Sequence, residues 1–285
     1  MGVLFAFIEL LSWGLGDFLI QRSARKFGDW IALFYITAFG AIVLFPFIYR
    51  DLINSFDKHL FLLCGASILL LFVALLDFEA LRTGKISVIE PIYALEIPVT
   101  TLLAAYIIKE RLDVGQSLLI ISLMLGIFLV STRSFSRFKN INLEKGIWCA
   151  FFATVGMGAV NFIFGVGSRT INPLMINWFT DSFIAVVSLI YLASNSRLKE
   201  VAADFKNNKR LILNVSFFDK LAWITFSYAT LYVPIAIATG ISEGYIAFAG
   251  GLGLLFNKEK LKHHQLFGFF LAIVSVIALA IITDK

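Results

Sequence analysis

Ten apolar stretches divide the chain, at approximately 2–21, 30–49, 60–81, 86–108, 113–132, 146–167, 173–193, 210–231, 233–256 and 265–283. A helix needs roughly 20 mostly apolar residues to cross a bilayer, whereas strands of a membrane β-barrel are about ten residues long and alternate in polarity. The pattern therefore predicts helices. The longest connections, around 133–145 and 194–209, are polar and basic, and no soluble domain fits between the stretches. The first stretch has no Lys or Arg before it and no small-residue cleavage site after it, so it is expected to persist as a helix.

Composition turns helices into membrane helices. Of the 285 residues, 59% are hydrophobic and 15% are charged, with 30 Phe. Soluble domains run nearer half apolar and a quarter charged, and their surface must stay wet. This excludes a soluble enzyme, a nucleic-acid binder and a secreted domain, and predicts an all-α, multi-pass protein of the cell (inner or plasma) membrane. The formal charge of +5 reports on topology rather than on partners. Loops after odd-numbered stretches hold most of the Lys and Arg: Arg22, Arg25, Lys26; Arg82, Lys85; Arg133, Arg137, Lys139, Lys145; Arg197, Lys199, Lys206, Lys209, Arg210; Lys258, Lys260, Lys262. The other side holds Arg50, Lys58, Lys109, Arg111, Arg169 and Lys285, a bias that favours both termini outside. Cys64 and Cys149 lie within apolar runs and read as buried packing residues.

An internal repeat organises the ten stretches. Lys109-Glu110-Arg111-Leu112 with Gln116 returns as Lys258-Glu259-Lys260-Leu261 with Gln265, 149 residues later. Gly2, Ala6, Gly14 and Phe18 return as Gly146, Ala150, Gly158 and Phe162 at an offset of 144, which sets Asp17 against Asn161. Two halves of five helices, 1–134 and 145–285, follow. Because five is odd, the second half must be inverted in the membrane, the arrangement of secondary transporters with a midplane site between halves.

Trp13-Gly14-Leu15-Gly16-Asp17-Phe18, and the stretch from Ser87 to Leu112 with Pro91, Pro98 and the closing Lys-Glu-Arg-Leu, resemble the drug/metabolite transporter superfamily, EamA branch. The resemblance covers nearly the whole chain. It implies ten helices in two inverted five-helix repeats around a central cavity, alternating access, and cytoplasmic termini, the last against the charge bias. The second repeat departs from the pattern: Pro91 and Pro98 fall on Gly240 and Ala247, so its fourth helix should bend elsewhere, at Gly240, Gly244 or the glycines at 250, 251 and 253.

The candidate chemistry is carried by charges inside the spans, where an ionisable group costs several kcal/mol and points to function. Glu9, Trp13 and Asp17 fall at i, i+4 and i+8, one stripe that should face the cavity; Asp17 could instead pair with Arg22 or Arg25 near the interface. Helix 3 adds Asp77 and Glu79. Helix 4 carries Glu90, Pro91, Tyr93, Glu96 and Pro98; Glu90 and Tyr93 share a face, and Glu96 points about 120° away. Prolines free a backbone carbonyl one turn back, where it can face substrate or water. Either these acids line the cavity or they satisfy neighbouring helices. Helix 9 offers Glu243 with Thr239, Ser242 and Tyr245 among glycines, suited to a moving gate or to close packing. Asp219 and Lys220 are adjacent in helix 8 and point about 100° apart, so Lys220 should seek another acid, Asp181 or Glu243. That cation is either half of a structural ion pair or a clamp for a substrate carboxylate.

Rival classes lack their motifs. There is no GxxxxGK[ST] loop for a nucleotide, and His59, His263 and His264 all lie near loops, so neither HExxH nor a Ser–His pair can form in a span. Asp77-Phe78-Glu79 is not the doubled acidic motif of diphosphate–magnesium chemistry, and no repeated selectivity filter is visible. The expectation is a secondary transporter for a small polar or zwitterionic, amino-acid-like metabolite, proton-coupled or exchanging, with a lipid or lipid-linked-sugar flippase as the rival and an intramembrane enzyme disfavoured. Glu96 and Glu243 lead as binding or proton-carrying residues, and the cavity is expected from helices 1, 3, 4, 6, 8 and 9. Partners should be a small-molecule substrate and membrane lipid, without nucleic acid, nucleotide, metal or cofactor, in a monomer or homodimer.

Overall fold

Backbone polar groups in hydrocarbon must be satisfied within their own segment, and among the described residues this chain does so with helices and no strand. The structure, a computed structural model, describes residues 1–50, 52–83, 92–132, 145–248 and 262–284, and only the backbone of 52–58 and 145. Its helices are α1 (Gly2–Phe27), α2 (Asp29–Ile48), α3 (Leu52–Thr83), α4 (Glu96–Ile107), α5 (Val114–Ser131), α6 (Lys145–Thr170), α7 (Pro173–Ser194), α8 (Leu198–Tyr232), α9 (Ile235–Glu243) and α10 (His263–Thr283). Among the described residues seven helices are long and apolar enough to cross a membrane, with shorter apolar helices at Glu96–Ile107 and Ile235–Phe248. The protein is a multi-pass integral membrane protein.

Local chemistry sets the helix ends. Gly28 takes φ 82 between α1 and α2, a backbone that favours glycine. Asn172 caps α7 by accepting from Leu174 N at 2.8 Å, with Pro173 at the first helical position. The glutamines of the repeated motif do equivalent work: Gln116 Oε1 accepts Asp113 N at 3.1 Å, and Gln265 Oε1 accepts Lys262 N at 3.2 Å.

Two expectations need correction. The polar stretch read as a connection at 194–209 is largely helical: α8 begins at Leu198 and is kinked at Asn208, where φ is −133°. Its polarity hid an amphipathic face, along which Val201 packs against the cluster of Phe27, Ile31, Tyr35, Leu192 and Ile212. Cys149 is buried as expected, but Cys64 is only partly covered. The glycines at 250, 251 and 253 and the motif copy at 258–261 lie outside the described residues.

Packing follows the repeat. α1 packs on α8 and α3 on α6; α4 packs on α6 and α9 on α1; α2 pairs with α7, α5 with α10, and α4 with α9. Exchanging the halves maps each of these contacts onto another or onto itself. The match extends to atoms. Gly14 faces Phe248 as Gly158 faces Val99, each glycine leaving space that a Cβ would fill at 3.0 Å or less. Arg25 donates to Leu81 O at 3.4 Å, and Arg169 donates to Thr230 O at 2.6 Å. In both pairs of contacts the partners differ by the same offsets, 144 and 149. The α5–α10 pair closes by small residues, with Gly126 against Ala272 and Gly268 against the Gly126 carbonyl. The Met1 amino group lies 3.7 Å from Asp284, so both termini emerge at one end.

Candidate functional site

One cavity collects the intramembrane charges. Glu9, Asp17, Asp77, Glu96, Asp181, Asp219, Glu243 and Lys220 line it, together with Trp13, Tyr93, Asn161, Trp223, Ser242 and Tyr245. It leaves about 90 Å³ open to the centres of water-sized spheres. On that measure one water takes roughly 10–15 Å³, so the space suits several waters or one small metabolite. Among the described residues the walls thus hold seven carboxylates and one ammonium. Keeping all seven ionised would leave a large uncompensated charge in a dry bundle, which only bound protons or a cationic ligand would offset.

Packing between halves positions each side chain. α1 crosses α9, so Ser242 Oγ donates to Glu9 Oε1 at 2.6 Å. α4 crosses α6, where Asn161 Nδ2 donates to Glu96 Oε1 and Thr100 Oγ1 donates to Gly158 O at 3.0 Å. α4 starts at Glu96 after a turn at 94–95, so Tyr93 and Glu96 both face inward, and the Tyr93 hydroxyl donates to Asp77 Oδ1 at 2.5 Å. Tyr245 stands beside Asp17. By the repeat, Asp17–Tyr245 is the counterpart of Asn161–Glu96. The Trp13 and Trp223 rings meet edge-on at 5.8 Å and add an aromatic wall.

Lys220 sits between two acids. Its Nζ lies 2.6 Å from Asp181 Oδ1 and 3.0 Å from Asp219 Oδ1, and all three side chains are buried. The expectation that Lys220 would seek Asp181 rather than its neighbour is half corrected. Cβ directions about 100° apart do not keep a four-carbon stem from folding back. Room for the cluster comes from α2: a Cβ on Gly40 would meet Asp181 Oδ2 at 2.0 Å and Lys220 Cδ at 2.5 Å.

The lining residues spread about the middle of the helices: Ile20 and Asp77 lie in the C-terminal halves of α1 and α3, Glu9 and Asp181 in the N-terminal halves of α1 and α7, and Lys220 in the C-terminal half of α8. One end of the bundle, where α4, α6 and α8 finish, is tied across the halves. Arg169 Nη1 pairs with Glu110 Oε1 at 3.0 Å, and its other nitrogens donate to Thr230 O and Val233 O. Glu110 Oε2 accepts the Ile235 N–H at 2.9 Å, capping α9 where Pro234 offers no side-chain acceptor.

The sequence profile of the EamA-like transporter family matches residues 1–132 and 144–281, nearly the whole chain in two copies. The chain belongs to that family. It is a membrane transporter of the drug/metabolite type. No curated protein matches. Among solved structures 28 chains match. One, described only as "Crystal structure of protein", has a TM-score of 0.72 at 11% identity and covers 100% of this chain and 99% of its own. At that identity the likeness shows the fold alone.

For this EamA-like transporter the cavity brings together the sequence-derived charged and aromatic candidates except Glu79 and Glu90, the latter outside the described residues with Pro91. It also draws on α2 and α7, through Leu33, Thr37, Asp181 and Ile184, beyond the six helices expected. Glu79 is elsewhere, with Arg82 and Asp29 at the ends of α3 and α2. Sequence reasoning passed over Gly40, whose role is an absence of atoms, and the pairing of Glu110 with Arg169, because Glu110 stood out only as a repeat marker. Asn161 was signalled by its register with Asp17.

Proposed function

We propose that the chain is a ten-span secondary transporter with halves 1–134 and 145–285 inverted relative to each other. It moves a small polar or zwitterionic, amino-acid-like metabolite by alternating access across the cell (inner or plasma) membrane, coupled to protons or exchange. The observation that carries this reading is the cavity itself: seven carboxylates and one lysine around space for one small molecule, with one end of the bundle tied by Glu110 and Arg169. Glu96 and Glu243 are the leading binding or proton-carrying groups. Glu9, Asp17, Tyr93 and Trp13 complete the surface for an ammonium group, which acids and aromatic faces both attract.

The test is counterflow in proteoliposomes with pooled labelled amino acids and small metabolites, with and without a pH gradient. Gradient-enhanced uptake of one pool is expected. Uptake indifferent to the gradient would remove the proton role and leave an exchanger. No uptake from any pool by folded protein would overturn the substrate class.

A further inference from the structure

The Asp181–Lys220–Asp219 cluster has no counterpart in the other half. Under the repeat Asp181 falls on Thr37, and Asp219 and Lys220 fall on Leu70 and Leu71. A merely structural ion pair sealing the bundle would not need to face the cavity, yet all three side chains line it. With both acids ionised, both close contacts of the ammonium go to carboxylates and the cluster carries a net negative charge. That charge opposes the approach of an anion.

The two acids are not equivalent. Asp181 Oδ1 holds the ammonium at 2.6 Å, while its Oδ2 is buried without a hydrogen-bond partner among the described residues. That oxygen occupies the space Gly40 leaves on α2. A proton placed on Asp181 would remove the charge that holds one ammonium N–H and leave Asp219 as sole counter-ion. The cluster would then be neutral, and the ammonium would attract a carboxylate in the cavity. We propose that Asp181 and Lys220 form a proton-gated carboxylate subsite, in which protonation of Asp181 releases Lys220 to bind the carboxylate of the transported molecule.

One proton enters as one carboxylate binds, and the cluster returns to its starting charge when both leave together. This rests on the reading above, and it supplies the acidic end of a zwitterion whose ammonium end faces Glu96 and Glu243. The other titratable groups facing this cavity are Glu9 and Asp17 on α1, Asp77 on α3, Tyr93 and Glu96 before and on α4, and Glu243 and Tyr245 at α9; Thr37 and Gly40 of α2 and Asn161 of α6 add none.

Acetate tests the subsite directly, against acetamide as its uncharged isostere. Trp223, one turn from Lys220 and in contact with Trp13, gives an intrinsic fluorescence signal in purified protein. Acetate should bind about tenfold more tightly at pH 5.5 than at pH 8, and acetamide should not bind at either. Asp181→Asn should bind acetate equally at both pH values, and Lys220→Gln should bind none. Acetate affinity independent of pH in the unaltered protein, equal binding of acetamide, or no acetate binding at pH 5.5 would each overturn the proposal. The wild-type pH series decides even if a variant fails to fold. Absence of proton-driven uptake in vesicles would overturn the transport reading while leaving an acetate result standing.

Discussion

Glu110, on the turn between α4 and α5, joins Arg169 at the end of α6 with the carboxylate and guanidinium 3.0 Å apart. The geometry starts with Lys109, which takes a positive φ of 57° to end α4 and lets Glu110 N close back on Ala104 O at 3.1 Å. Glu110 then points across the boundary between halves to Arg169 and to the start of α9. One carboxylate thereby satisfies a helix N-terminus, and one guanidinium satisfies carbonyls at the end of α8.

If this contact holds one end closed, Glu110 and Arg169 must be energetically coupled. Glu110→Gln, Arg169→Gln and the double variant should give a coupling of about 1 kcal/mol or more in thermal unfolding. Glu110→Ala should cost about 1–3 kcal/mol, because it strands both the Ile235 N–H and the guanidinium. Additive single effects would show that the two groups do not act together.

Neutralising the leading acids separates binding from folding. Glu96→Gln and Glu243→Gln keep side-chain shape, so expression and melting temperature should stay near wild type. Gradient-driven uptake should fall roughly tenfold or more, equivalent to about 1.4 kcal/mol in affinity or barrier. Wild-type uptake in both variants would remove them from the mechanism.

Two glycines give a contrast within one experiment. Gly40→Ala should destabilise the protein by about 1–3 kcal/mol and displace Lys220, since the added methyl meets Asp181 and Lys220 well inside contact distance. Gly65→Ala meets nothing within 4 Å and should be neutral or stabilising by up to about 1 kcal/mol. Equal melting temperatures for the two variants would contradict the packing described.

Orientation follows from loop charge. The end of the bundle away from the Glu110–Arg169 contact carries Arg22, Arg25, Lys26 and the basic N-terminal part of α8. The excess of Lys and Arg there predicts that this end is cytoplasmic and both termini are outside. A C-terminal reporter active only outside the cytoplasm should therefore be active. Activity from a C-terminal reporter that works only in the cytoplasm would reverse this orientation.

Much of this was legible in the sequence because hydrocarbon imposes simple costs. Long apolar runs must be helices, and acids such as Glu9 or Asp181 inside them must face something other than lipid. The repeat was legible through residues that cap helix starts, such as Gln116 and Gln265, whose roles are local. What depended on three-dimensional crossing was not. Gly40 matters only because α7 and α8 bring Asp181 and Lys220 against it. The helix at 198–207 escaped notice because its polarity outweighed the single face that packs on Tyr35.

α8 runs for 35 residues, in two helical parts joined at the Asn208 kink, and touches all of these places. Arg197 at its start reaches the Phe27 carbonyl; Asp219, Lys220 and Trp223 stand in the cavity; Arg169 grips Thr230 and Val233 at its end. From Lys220 to Val233 is about 20 Å at 1.5 Å per residue. Beyond the kink at Asn208 the helix continues through Lys220 to Tyr232, so a tilt at the lysine would be carried toward the Arg169 contact. The rod is thus one mechanical route, beside the shorter run of α6 from Asn161 to Arg169, by which an occupied cavity would loosen the clasp at the far end.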